Sequence, residues 1–252
     1  MESLIVALAS LLAGFVDSIV GGGGLILLPA LFATFPSASP ADLLGTNKSA
    51  SVWGTGVATW QYSRRVDLRW QVMLPAALAA FLGSFIGAWV VTQVSADLLR
   101  KLLPVILLLL LVYTLARKDL GRVHAPHLSA PRERAMASLI GATIGFYDGF
   151  FGPGTGSFLV FLFVRLLGYD FLNASVSAKL INLFTNGAAL ILFTAKGLVW
   201  WHLTLSLALA NVVGSILGAR MALRHGAGFV RSIFIAVVGL LILKTGYDAF
   251  AR

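Results

Sequence analysis

Long apolar runs alternate with short basic loops along this chain. Four apolar segments lie in the first half, at 3–35, 42–62, 70–93 and 99–116, and four in the second, at 135–168, 172–195, 201–223 and 230–250. A helix needs about 20 apolar residues to cross a bilayer, so the last three segments of each half fit one spanning helix apiece. The first segment of each half is longer and is interrupted by glycines, at 21–24 and 152–156. The pattern predicts an all-α polytopic membrane protein.

The composition supports this class and excludes several others. Of the 252 residues, 58% are hydrophobic and 12% are charged, whereas soluble domains are about 45–50% apolar and 25% charged. The alternating strands of an outer-membrane barrel would give a lower apolar fraction. The net charge of +9 lies mostly in short loops between apolar runs, which is typical of cytoplasmic loops and not of nucleic-acid binding. Cysteine is absent, which excludes disulfides and thiol chemistry.

The two halves resemble each other at a constant offset of 131 residues. Chance similarity between apolar runs does not keep charged residues and tryptophans in register, so the offset indicates an internal duplication, which is common among transporters. Residues 1–116 and 135–252 are the predicted repeats, and the basic stretch 117–134 is the predicted cytoplasmic linker. The matched positions include Asp17 with Asp148, Gly21 with Gly152, Gly23 with Gly154, Lys48 with Lys179, Trp70 with Trp201, Gly83 with Gly214, and Arg100 with Arg231.

Two topologies follow from the broken first segment. Each repeat has three spanning helices in both. If the glycine-broken first helix also crosses the membrane, the protein has eight full spans. If it forms a re-entrant hairpin instead, each repeat has three spans and the second repeat is inverted relative to the first. Loop lysines and arginines concentrate on the cytoplasmic side of membrane proteins. With the linker in the cytoplasm, the hairpin topology collects more of them there, because Arg165, Arg220, Arg224 and Arg231 move inside while Lys196 and Arg252 move outside. The charge pattern therefore favours the hairpin.

Lysines within the apolar segments give the clearest functional signal. An ionised side chain at the bilayer centre costs roughly 2.5–3.5 kcal/mol, and Lys48 and Lys179 each lie within the second segment of a repeat. We predict that both bind substrate. The alternative is that each lies near a helix end and snorkels to the interface. At helical spacing Lys179 shares a face with Ser175, Asn182 and Asn186, and Lys48 shares one with Ser51, Thr55 and Thr59, close to Thr46 and Asn47.

The glycine breaks are a second candidate element. A short helix restarts after each break, near Leu25 and Ser157. The free N–H groups and dipole of a helix N-terminus attract anions, and glycine lets a ligand approach the backbone. The alternative is that the glycines at the breaks let neighbouring helices pack closely. For Gly83 with Gly87 and for Gly214 with Gly218, close helix packing is the role we predict. The predicted substrate contacts at the breaks are Gly22, Gly23, Gly24, Gly154, Thr155, Gly156 and Ser157.

Two aspartates precede the breaks by four residues each. Asp17 and Asp148 could carry a coupling proton, pair with a lysine, or cap backbone freed by the break. The histidines show no metal-ligand spacing, so neither a metal site nor a cofactor is predicted.

The motifs GFVDSIVGGGGLILLPAL and GTNKSAS, with their second copies GFYDGFFGPGTGSFLVF and SVSAKLINLFTN, resemble those of the TauE/SafE (sulfite exporter) family of membrane transporters. The resemblance covers essentially the whole chain. It implies transport of sulfite, sulfoacetate or other organosulfonates, with which family members are associated. The halves differ in one respect, because Ser51 and Thr55 stand where the second half has Asn182 and Asn186.

The sequence thus predicts a secondary transporter of small anions in the bacterial inner membrane, with sulfite or an organosulfonate as substrate and protons as a plausible coupling ion. Its predicted partners are the bilayer and the anion, and its oligomeric partner stays undetermined. No phosphate-binding GxxxxGK[ST] motif is present, and an enzyme is not expected. The alternative function is a cation or metal transporter that uses Asp17 and Asp148 as ligands.

Overall fold

The computed structural model describes the backbone of residues 2–95 and 125–250, and the side chains of that part except at 227–228, 230–231 and 234–250. The regular elements described there are helical, which confirms the predicted all-α class. The predicted segment 99–116 and residues 117–124 of the linker lie outside the described residues. The helices are α1 Glu2–Val20, α2 Gly24–Thr34, α3 Pro40–Ser63, α4 Trp70–Val91, α5 Ala130–Phe150, α6 Thr155–Leu162, α7 Phe171–Ala195 and α8 Trp201–Phe250, which is interrupted at Gly226.

Four helices within the described part are long and apolar enough to cross a bilayer. They are Glu2–Val20, Trp70–Val91, Phe171–Ala195 and the first part of α8, Trp201–Gly226. α3 is of comparable length at 24 residues but is more polar, because it carries Lys48 and its neighbours. The exposed tryptophans Trp53, Trp60, Trp70, Trp89 and Trp201 are each more than half accessible, as expected of rings that face lipid.

Helix α5 begins earlier than the sequence pattern predicted. It starts at Ala130, within the stretch expected to be linker, after an extended Ser129 and with proline in its first turn. The cause is tertiary, because Glu133 in that turn is fully buried and accepts hydrogen bonds from Arg69 at 2.7 Å and from the Tyr169 hydroxyl at 2.5 Å. Burial, together with the carboxylate of Glu133, raises the pKa of Tyr169, which therefore stays a neutral donor.

Both glycine breaks reverse the direction of the chain. A Cβ added at Gly23 would lie 2.7 Å from the carbonyl oxygen of Ala13, although ten residues of continuous helix would separate these positions by about 15 Å. In the second half, the rings of Tyr147 and Phe158 are 5.7 Å apart across the break. α2 therefore folds back along α1, and α6 folds back along α5.

The most extensive packing joins α1 to α8 and α4 to α5. Glycines allow the backbones to approach, since a Cβ at Gly214 would collide with the Leu11 carbonyl and one at Gly83 with the Ala142 carbonyl. The offset of 131 relates Gly83 to Gly214 and Leu11 to Ala142. The two contacts are therefore equivalent, with the glycine contributed by the first half in one and by the second half in the other. The packing role predicted for Gly83, Gly87, Gly214 and Gly218 is confirmed, and Gly14 and Gly145 share it.

Contacts along the helices fix their directions. α3 runs parallel to α8, because Ser49 contacts Thr204 and Gly54 contacts Asn211. It runs antiparallel to α7, because Gly45 approaches Phe193 and Gly56 approaches Leu183. By the same criterion α1 runs parallel to α8, and α4 runs parallel to α5. The short loop at 64–69 reverses the chain between α3 and α4, so α1, α3 and α8 run one way and α4, α5 and α7 the other. The end at which α3 finishes and α5 begins is called the linker end below.

Candidate functional site

The two glycine breaks meet in the interior of the molecule. The backbone N–H of Ser157 donates to the carbonyl of Gly21 at 2.8 Å, and a Cβ on either Gly21 or Gly156 would collide with the backbone of the other. Gly21 has φ +77°, Gly152 has φ +97° and Gly154 has φ +81°, conformations that glycine adopts without strain. The breaks therefore form a close backbone contact between the halves, and only glycine fits there.

Lys48 forms a short buried ion pair beside this contact. Its Nζ lies 2.6 Å from Oδ2 of Asp148, and the two side chains are only 3% and 5% exposed. A Cβ at Gly152 would lie 3.1 Å from the same Nζ, so the left-handed glycine leaves room for the ammonium group. The lysine is held inside the protein by a carboxylate, and the snorkelling alternative is wrong for this residue.

Lys179 forms the corresponding pair with Asp17, but more loosely. Nζ of Lys179 lies 3.5 Å from Oδ2 of Asp17, and the lysine is fully buried while the aspartate side chain is 18% exposed. Asp17 also faces the backbone N–H of Gly23 and the hydroxyl of Thr55, each at 3.4 Å. Snorkelling is therefore wrong for Lys179 too, and Asp17 combines the predicted lysine pairing with contact to the break.

Each ion pair joins the two halves of the chain. Lys48 of the first half pairs with Asp148 of the second, and Lys179 of the second half pairs with Asp17 of the first. The two pairs are equivalent, because the offset of 131 relates Lys48 to Lys179 and Asp17 to Asp148. The pairs have the same chemistry but different geometry, because one is short and closed and the other is long and partly open. A buried lysine without a partner would carry a large desolvation cost, and the crossed pairing offsets that cost at both positions.

A small polar cavity of about 20 Å³ lies between the breaks and the ion pairs, with room for about one water molecule. Gly21 and Gly152 line it and were not among the predicted contacts, although the offset had matched them with each other. Of the predicted residues, those lining the cavity are Asp17, Gly24, Asn47, Lys48, Ser51, Asp148, Gly154, Thr155, Gly156, Asn182 and Asn186.

The remaining predicted contacts lie next to the cavity. Lys179 approaches it through Asp17. Thr46 accepts a hydrogen bond from the backbone of Trp200 at 3.1 Å, and the Ser157 hydroxyl donates to the backbone of Val20 at 3.2 Å. Gly22 and Gly23 belong to the turn but do not line the cavity. Thr46 and Ser157 thus hold the surrounding backbone together.

Two amide side chains at the cavity have unused hydrogen-bonding capacity. Oδ1 of Asn47 and Oδ1 of Asn182 are buried and make no hydrogen bond within the described part of the chain. Buried polar atoms are normally paired, so unpaired amides at a polar cavity indicate a place for a polar ligand. Rotating either amide by 180° presents its N–H₂ donors instead, which suits an anion.

A family model described as Sulfite exporter TauE/SafE matches residues 6–245. The chain belongs to the TauE/SafE family. The match covers the hairpins, both lysines and both aspartates, so the whole central site lies within the family region. The resemblance seen in the sequence motifs is confirmed.

Other TauE/SafE chains are similar over nearly their full length. A probable membrane transporter protein of a Sinorhizobium species is 37% identical over 237 residues, covering 94% of this chain and 89% of the relative. One from Escherichia coli K12 is 35% identical over 248 residues, covering 96% and 89%, and one from Haemophilus influenzae is 32% identical over 245 residues, covering 94% and 91%. No solved structure matches this TauE/SafE protein. The protein is a multi-pass transporter of the bacterial inner membrane and not an enzyme.

Proposed function

We propose that this protein is a secondary transporter of small oxyanions, sulfite or organosulfonates, and that the anion binds at the central cavity. The observation that supports the proposal is the pair of buried lysines, each neutralised by a carboxylate from the other half. Both lie where two glycine-rich turns expose backbone and where Asn47 and Asn182 have spare hydrogen-bonding capacity. An oxyanion can replace a carboxylate at a lysine because both present oxygen acceptors to the ammonium group.

Substrate entry requires the breaks to separate, because a cavity of about 20 Å³ is too small for sulfite. The separation would break the hydrogen bond between Ser157 and Gly21 and free backbone groups to face the substrate. We expect the anion to compete with Asp17 at Lys179 first. That ion pair is the longer one, at 3.5 Å, and its aspartate is the more exposed.

Displacement of an aspartate by the anion would also couple transport to protons. A carboxylate left without its lysine in a buried site is unfavourable by several kcal/mol if it stays ionised. It avoids that cost by binding one proton, delivered from the aqueous phase through the opened site. Binding of one anion would therefore be accompanied by uptake of one proton at Asp17 or Asp148.

The cation alternative is less well supported by the same contacts. Each aspartate that could bind a cation already faces a lysine ammonium group, at 2.6 Å for Asp148 and 3.5 Å for Asp17. A cation would have to displace Lys179 from Asp17 and leave a fully buried ammonium group without a partner, which is unfavourable. An anion would instead release Asp17, whose side chain is 18% exposed and is therefore less costly to leave unpaired. This difference supports the anion.

The proposed organisation is a pair of inverted repeats, 1–116 and 135–252, joined by a cytoplasmic linker at 117–134. Three observations support it. The matched helices α1 and α5 run in opposite directions, and the breaks turn back on themselves as re-entrant hairpins do. Arg64 and Arg65 also share a cavity with Arg220 and Arg224, although eight full spans would place these pairs on opposite sides of the membrane. Alternating access would arise when the two ion pairs exchange their tight and loose geometries.

This organisation predicts which residues face the outside of the cell. The native chain has no cysteine, so single cysteines at 196 and 224 can be labelled cleanly with an impermeant maleimide. In right-side-out vesicles Lys196→Cys should react, and Arg224→Cys should react only after permeabilisation. The reverse result, with 224 labelled from outside and 196 protected, would support eight full spans.

Uptake into proteoliposomes tests the function itself. Sulfite or a small sulfonate should enter faster when the outside is more acidic, and its entry should acidify the lumen, as read by a trapped pH dye. The same anions should raise the melting temperature in detergent, because a ligand that binds only the folded state stabilises it. Dimethyl sulfone, a neutral molecule of similar shape, is the control. Stabilisation by divalent cations and not by anions would instead support the cation alternative.

A further inference from the structure

A second, larger cavity opens at the linker end between α3 and α8. Its volume is about 600 Å³, within the 300–1,000 Å³ typical of ligand sites. Arg64 and Arg65 line it from the end of α3, and Arg220 and Arg224 line it from α8, together with Trp60. The central site has no part in this cavity, whose lining residues differ from those around the lysines.

The arginines in this cavity lack acidic partners among the lining residues that the structure describes. Arg69 at the same end differs, because it contacts the buried Glu133 at 2.7 Å. Four guanidinium groups around one space repel each other unless an anion lies between them. The Arg64 guanidinium is stacked 5.3 Å from the ring centre of Trp60, which limits its orientations. The planar donor fork of arginine matches phosphate oxygens, so the chemistry favours a phosphate group.

Apolar residues continue from the arginines along both helices. On α8, Leu217 and Val213 precede Arg220 at helical spacing and are each 48% exposed. On α3, Trp53 precedes Trp60 by two turns, and both are 59% exposed. A soluble anion needs only the charged part, whereas a lipid needs a charged site next to an accessible apolar surface.

We infer that this cavity binds the phosphodiester headgroup of an anionic phospholipid, with its acyl chains along the apolar faces of α3 and α8. Basic pockets between transmembrane helices on the cytoplasmic side suit such headgroups. The lipid would bridge two helices from different halves of the chain, one of which carries Lys48. It would thereby tie the linker ends of α3 and α8 together.

Native mass spectrometry of the purified full chain tests the inference by titrating phosphatidylglycerol against phosphatidylcholine with the same acyl chains. The wild type should bind phosphatidylglycerol more tightly. Arg220→Gln with Arg224→Gln should weaken that binding about tenfold or more, since two charge-assisted hydrogen bonds are lost. Arg220→Lys with Arg224→Lys should lie between these extremes. The matched control, Arg132→Gln with Arg134→Gln, removes two exposed charges near the start of α5 and should leave the affinity unchanged.

A second arm separates a lipid from a soluble anion. Leu217→Gln should weaken phosphatidylglycerol binding while inorganic phosphate binds as weakly as before. Inorganic phosphate or sulfite binding as tightly as the lipid, and insensitive to Leu217→Gln, would overturn the lipid assignment in favour of a soluble anion. Equal binding of both phospholipids, or an unchanged affinity in the Arg220 and Arg224 variant, would also overturn it. All these residues are exposed or line an open cavity, so the variants should fold.

Discussion

Replacing Lys48 by glutamine should abolish transport and lower the free energy of unfolding by about 3–5 kcal/mol. The loss of stability arises because the substitution leaves the Asp148 carboxylate, 5% exposed, without its partner at 2.6 Å. Lys179→Gln should also abolish transport but should cost less stability, because Asp17 is 18% exposed and has contacts to Gly23 and Thr55. Melting in detergent and initial uptake rates in proteoliposomes measure the two effects separately.

The double variant Lys48→Gln with Asp148→Asn separates stability from function. It removes both charges, so no unpaired ion stays buried and most of the lost stability should return. Transport should still be absent, because one of the two ammonium groups proposed to bind the anion is gone. Lys196→Gln, which removes an exposed lysine, is the control and should behave as wild type. Recovery of sulfite transport in the double variant would refute a role for Lys48 in binding and leave the ion pair as a structural element.

Replacing Gly21 by alanine should reduce transport by about a hundredfold or more per folded molecule, because the proposed cycle must re-form the contact between the two breaks each time the site closes. The substitution has two separable costs. A left-handed conformation at φ +77° costs an L-residue about 1–2 kcal/mol. The new Cβ also meets the backbone of Gly156, and displacing that backbone costs about 1–3 kcal/mol more.

Gly197→Ala is the matched control for this experiment. Gly197 has φ +71°, but its added Cβ would have no atom within 4 Å, so the variant carries the backbone cost alone. It should melt slightly below wild type and transport normally. Equal uptake by the Gly21 and Gly197 variants, measured per folded protein, would show that the contact between the breaks is not part of the transport cycle.

Several properties of this protein follow from its sequence alone. In lipid, the backbone N–H and C=O groups of an apolar run of about 20 residues can pair within the run only if it forms a helix, so the helical class follows directly. A run of glycines cannot continue a helix, so the positions of both breaks follow as well. Lys48 and Lys179 stand out because charge is so costly in an apolar segment. The family could also be recognised, since both copies of its motif are present.

The sequence did not reveal which residues contact each other. The offset matches Lys48 with Lys179 and Asp17 with Asp148, but equivalence under a duplication says nothing about contact. The crossed pairs arise because α1 and α5 run in opposite directions, which brings the lysine of one half to the aspartate of the other. The left-handed Gly21 and Gly152 were missed as lining residues for the same reason.

Charged residues near helix ends were also decided by tertiary structure. Arg132, Glu133 and Arg134 look like loop residues in sequence, yet Glu133 is buried against Arg69 and Tyr169. Helix α5 therefore starts at Ala130, five residues before the predicted segment at 135–168. Conversely, the sequence indicates only that Arg64 and Arg220 are loop charges that help to set the membrane topology. The packing of α3 against α8 brings them into one cavity. Local pattern determined the helices, the breaks and the buried lysines, because these depend on the cost of exposing or burying single segments. Pairing and cavities depend on how distant segments pack, and only the folded chain decided them.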